Sequence, residues 1–178
     1  MGDGELAAEL VERMDRDQRV RSEVTGRNPG DDVWARVEDV DADNTAWFAG
    51  VLDQEGWPRL SEVGPDASAA AWLIAQHADR DPEFQRRCLG LLEQAVRDGE
   101  AQASHWAYLT DRVRRAEGRP QVYGTQLWYG LDGGGPLQPQ PIEDPDRLDE
   151  RRRSVGLGPF ADYVHLARQG ESHDEDRT

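Results

Sequence analysis

Leu6, Leu10 and Met14 recur at every fourth position, and Val20 and Val24 prolong the spacing, so the chain opens with an amphipathic helix. The run Thr25-Gly26-Arg27-Asn28-Pro29-Gly30 breaks it. Val33, Trp34, Val37 and Val40 predict a short second helix. Asp43 or Asn44 caps a third, which turns Trp47, Val51 and Leu52 inward and stops at Gly56. Gly56-Trp57-Pro58 and Val63-Gly64-Pro65 bracket a loop, and residues 66–79 follow as a strongly apolar helix with Ala69, Ala70, Leu73 and Ile74. Asp81-Pro82-Glu83 is a helix start, because aspartate caps the first turn and proline suits it. Phe84, Cys88, Leu91 and Ala95 form that helix's buried stripe, and Gly99 ends it. One more helix, over about residues 100–116, carries Trp106, Leu109 and Val113 as far as Gly118.

The pattern changes after Pro120. Gln121 to Tyr129 is rich in aromatic and β-compatible residues, and Gly133-Gly134-Gly135 behind it reads as a flexible turn. A proline-punctuated segment from Leu137 to Ile142 limits any strand there to an edge. The expectation is a short β-hairpin or an ordered loop near residues 121–142. Asp144-Pro145 starts a helix through Val155. Gly158-Pro159 opens a last one with Phe160, Tyr163, Val164 and Ala167 inward. Residues 169–178 read as a disordered tail. The chain is thus expected to be mainly α: a single compact helical domain over residues 1–168, without internal repeats or a linker.

Composition narrows the functions open to it. The 178 residues are 37% apolar and 32% charged, so a compact core sits inside a well-solvated surface, with six tryptophans expected to fill much of it. A net charge of −15 opposes the contacts through which lysine and arginine hold nucleic acid or anionic membranes. Neither is therefore an expected partner, whereas a basic protein is compatible. Cys88 is the single cysteine, which rules out an internal disulfide or a cysteine-rich zinc cluster. Its helical spacing with Phe84 marks a structural thiol. The acidic N-terminus lacks the pattern of a signal peptide, and no apolar run reaches membrane-spanning length, so the expected compartment is cytoplasmic. Oligomeric state and cofactor are not set by these features.

The densest polar stretch is Gln76-His77-Ala78-Asp79-Arg80-Asp81, at the end of the apolar helix. His77 lies one turn beyond Leu73 and Ile74, so an apolar face carries an imidazole towards the interior. Near a carboxylate such a group moves protons at neutral pH; alone it equally fits a hydrogen-bonded core histidine. Metal ligation is not demanded: His77 and Asp79 do not face each other on a helix, and no paired Glu-x-x-His is present. In Tyr108-Leu109-Thr110-Asp111-Arg112, Asp111 could orient His77 or meet a substrate, and Arg112 could clamp an anion; an Asp–Arg surface network is the plainer reading. Tyr123-Gly124-Thr125-Gln126 offers a polar turn with hydrogen-bonding side chains, as a pocket wall or a hairpin edge. Asp17-Gln18-x-x-Arg21 puts polar residues where the first helix's apolar stripe should continue, which means emergence into solvent or a cleft.

Taken in order, Gly56-Trp57-Pro58, Val63-Gly64, Gln76-His77-Ala78-Asp79, Ala107 to Arg112 and Tyr123 to Gln126 resemble a bacterial family catalogued as a domain of unknown function. Asp17-Gln18 and Arg152 to Leu157 resemble its flanks, so the likeness spans most of the chain. It implies positions, and no chemistry. Polar signatures from separate segments point to one shared cleft. The leading reading is a small-molecule enzyme, a hydrolase or transferase, with His77 and Asp79 or Asp111 as the acid–base group and its orienting carboxylate. Gln76, Arg112, Tyr123, Thr125, Gln126, Asp17 and Gln18 would bind substrate. The alternatives are an acidic interaction protein that meets a basic partner, and a metal-dependent enzyme.

Overall fold

The computed structural model describes residues 1–24, 30–129 and 137–175, with side chains as far as Gln169. Seven α-helices account for most of it, so the fold is mainly α: α1 (Asp3–Arg21), α2 (Asp31–Gln54), α3 (Leu60–His77), α4 (Pro82–Arg97), α5 (Ala103–Ala116), α6 (Leu148–Ser154) and α7 (Phe160–Glu175). The break at residues 25–29 and the turn at Gly133-Gly134-Gly135 lie outside the described residues.

The two short helices expected between residues 33 and 55 are one. Asp43 and Asn44 sit inside α2 and cap nothing. Asn44 is 2% exposed, and its Oδ1 accepts a hydrogen bond from Arg13 Nη1 at 3.1 Å. A neighbouring helix thus satisfies the amide, which removes its incentive to end the helix locally. The loop expected up to Pro65 is also partly helical. Leu60 begins α3, Gly64 breaks its backbone at φ 80° and ψ 171°, and Pro65 opens the straight section.

Central helix α3 packs against α1, α2, α4 and α5. Its inward positions are small: Ala70, Ala71 and Ala75 have no exposed surface. Small side chains let four neighbours approach one axis closely. Leu6, Leu10, Leu52, Leu92 and Leu109 fill the space around it, with Phe48 edge-on to Trp57 and Phe84. Tryptophan contributes less than composition suggested. Trp57 is buried at 7% exposure, whereas Trp34 is 43% exposed. Cys88 has no exposed surface, and burial pushes its thiol up to about 12.

The segment after α5 holds the expected hairpin in short form. Strand β1 (Leu127–Trp128) pairs antiparallel with β2 (Gln138–Pro139), Leu127 opposite Pro139. Pro139 is tolerated there because this two-stranded ribbon has a free edge. Helix α6 follows a 3₁₀ turn at Pro145–Arg147, and α7 stays helical to Glu175, past the point where fraying was expected. Among the described residues no helix is long and apolar enough to cross a membrane.

Candidate functional site

The end of α3 is held open by a buried amide. Gln85 on α4, 1% exposed, donates through Nε2 to the carbonyls of Ala75 and Gln76, at 3.2 Å each, and to Asp79 Oδ1. These last-turn carbonyls have no partner within their own helix, so the glutamine substitutes for the missing turn. Asp81 then caps α4 by accepting from the Phe84 amide at 3.0 Å. The short connection leaves His77 and Asp79 with different surroundings.

His77 meets Asp17 of α1. Their Nδ1 and Oδ1 atoms are 3.0 Å apart, and the Asp17 carboxylate is almost fully buried. Asp17 Oδ1 also accepts from Arg21 Nε at 2.9 Å, and Oδ2 accepts from Gln18 Nε2 at 2.7 Å. Arg21 reaches on to Asp41 of α2 at 2.5 Å. Burial draws the Asp17 carboxyl upward, but the hydrogen bond and charge of His77, followed by Arg21, outweigh it and hold the group below its ordinary value. Asp41 goes the other way: burial raises it, and Arg21 offsets that only in part.

Asp79 joins a second network. Arg112 grips its carboxylate with Nε and Nη2 at 2.8 and 2.6 Å. Burial raises this carboxyl, while Arg112 more than compensates and holds it low. Arg112 Nη1 continues to Gln126 Oε1, Gln126 Nε2 to Thr125 Oγ1, and Thr125 Oγ1 to Asp111 Oδ2. Asp111 has no exposed surface, and it collects the amides of Val122, Tyr123 and Thr125. The loop from 121 to 126 is therefore wrapped around a carboxylate. Arg152, 2% exposed, closes it from behind by donating to the Tyr123 and Gly158 carbonyls at 2.7 Å.

Of the residues singled out in the sequence, Asp17, Gln18 and His77 thus come together in one group. Asp79, Asp111, Arg112, Tyr123, Thr125 and Gln126 form another. The Gln76 side chain is buried, and its Oε1 accepts no hydrogen bond among the described residues. The carboxylate that orients His77 is Asp17, and neither Asp79 nor Asp111 does so, because Arg112 and the loop amides already occupy both. Asp41 and Gln85 escaped sequence reasoning. Gln85 had a signal, since with Cys88, Leu92 and Ala95 it continues a buried helical stripe in which a glutamine is out of place.

A cavity of about 310 Å³ opens beside His77, between α2 and the α3–α4 connection. His77 and Asp41 stand in its wall; Asp111 and Gln126 do not. Asp17, Asp41 and His77 each place one ligand-type atom within 4.8 Å of the others, so the trio could hold a divalent ion if Arg21 moved aside. A larger groove of about 640 Å³ lies between α1 and the Gly64 kink. Its charged residues, Glu12, Asp15, Arg19 and Asp66, are all exposed, so it offers no dehydrated reacting group.

The match that decides kinship covers residues 4–172, nearly the whole chain. The chain belongs to the family of unknown function DUF6624. The DUF6624 region takes in both hydrogen-bonded groups and the cavity. No curated protein and no solved structure matches the chain.

Proposed function

We propose that this chain is a small-molecule enzyme in which His77 moves a proton to and from a ligand held in the cavity between α2 and the α3–α4 connection. The observation that carries the reading is the Asp17–His77 hydrogen bond at the cavity wall. A buried carboxylate that accepts from Nδ1–H fixes the tautomer and ring plane, and it leaves the Nε2 lone pair for the ligand. When Nε2 takes a proton, Asp17 stabilises the imidazolium; Arg21 and Gln18 keep Asp17 in place. That cycle suits hydrolysis or group transfer, in which a proton leaves the attacking group and returns to the departing one. Asp79, Asp111, Arg112, Tyr123, Thr125 and Gln126 lie outside the cavity lining and act as the hydrogen-bonded frame that braces the end of α3 through Asp79.

The test compares wild-type protein with His77→Gln on a panel of chromogenic esters, amides and phosphoesters. Turnover should fall by roughly 10²–10⁴ in the variant, with an unchanged helical far-UV spectrum. Equal turnover by the two proteins would remove His77 from the chemistry.

A further inference from the structure

The cavity beside His77 carries a charge pattern that proton transfer alone does not use. Its α2 wall is one strip of that helix: Asp41, Ala42, Thr45, Ala46 and Ala49, at a spacing that keeps them on one face. With Ala78 opposite, the lining is mostly methyl groups. Two carboxylates interrupt it. Asp41 uses Oδ1 for Arg21, and Asp81 uses Oδ1 to cap α4. Among the described residues, the second oxygen of each accepts no hydrogen bond.

The cation at the rim does not offset them. The Arg80 side chain is 72% exposed and turns to Glu38, at 2.6 Å. Arg21, the cation on Asp41, is shared with Asp17. The volume, about 310 Å³, is at the small end for a ligand site.

We propose that this cavity binds a compact aliphatic amine, with its ammonium between Asp41 and His77 and its carbon chain along Ala42, Ala46 and Ala49. Asp41 and His77 have ligand atoms within 4.8 Å of each other, close enough to share one small headgroup. A dicarboxylate would face Asp41 and Asp81 and would need Arg80 to leave Glu38. A hydrated metal ion would make no use of the alanine wall. The proposal rests on the acid–base reading for what happens next: an ammonium N–H bond breaks, its proton passes to His77 Nε2, and a neutral amine remains.

Binding of butylamine and 1,4-diaminobutane to the full chain is measured by calorimetry and by alanine methyl shifts at physiological salt, with butanol and succinate as controls. Both amines should bind one to one and shift the Ala46 and Ala49 methyls. Asp41→Asn should weaken them by roughly tenfold or more. Ala46→Leu, at an exposed helical position that tolerates a larger side chain, should block the cavity with the fold intact. Amine binding by the wild-type chain is read without turnover, whereas the role of His77 is read from the turnover of His77→Gln on the ester, amide and phosphoester panel, so the ligand class and the role of His77 fail separately. Three outcomes overturn the proposal: succinate or butanol binding as well as the amines, no amine binding, or amine binding that survives both Asp41→Asn and Ala46→Leu. The last would mark diffuse attraction to a chain of net charge −15.

Discussion

Asp111 shows how a single buried carboxylate can be satisfied largely by main-chain donors. Its two oxygens accept from three amides and a hydroxyl, all from residues 122–125. Hydrogen bonds to an ionised group contribute about 1.5–3 kcal/mol each, and donors left unpaired inside the protein cost more than those returned to water. Asp111→Ala should therefore destabilise the fold by roughly 3–5 kcal/mol, read as a lower urea midpoint at an unchanged slope. A loss under about 1 kcal/mol would mean that the loop amides find other partners. His77 and Asp111 look alike in the sequence, as polar residues beside apolar stripes. What separates them is which partners arrive from elsewhere in the chain, and local spacing holds no record of that.

The connecting elements depend on a few backbone conformations. Gly124 has φ +68°, and a Cβ there would meet Phe160 Cε2 at 2.8 Å. Gly124→Ala combines a left-handed backbone with a ring collision, and it should cost roughly 2–4 kcal/mol. Thermal melting tests this, and a neutral substitution would show that α7 can shift. Helices were largely legible, because α1, α4 and α5 keep one apolar face against a polar one. The breaks in α2 were misread because a polar residue in mid-helix signals a cap until its tertiary partner is known, and Arg13 is that partner for Asn44. Part of the site was legible for the same reason in reverse. The cluster at Gln76–Asp81 stands out locally, whereas Asp41 becomes visible only when α2 packs beside α3.

For the whole molecule, the shifted groups set the response to acid. His105 stacks flat on Trp72 with ring centroids 4.3 Å apart, and burial lowers its pKa from 6.5 to about 4. The unfolded chain binds that proton first, so stability should fall as pH drops from 6.5 to about 4 and then level off for this group. Asp17 and Asp79 are held below 3.8, so what they contribute is present above that value and lost as pH falls through their lower folded values. Asp41, raised by burial, takes up its proton in the folded chain above 3.8, which adds stability there as pH falls and offsets part of the first loss. His105→Phe keeps the ring stack and should abolish the first stage alone, which urea titrations at successive pH values can resolve. An unaltered slope between pH 6.5 and 4 in that variant would assign the stage elsewhere. The thiol of Cys88 offers a separate view of the same equilibrium. It is the lone sulfhydryl, sealed at the centre of the helices and almost fully protonated at neutral pH. A thiol-reactive dye can then react only during moments when the bundle parts, so the labelling rate becomes a stopwatch for spontaneous opening in undisturbed solution.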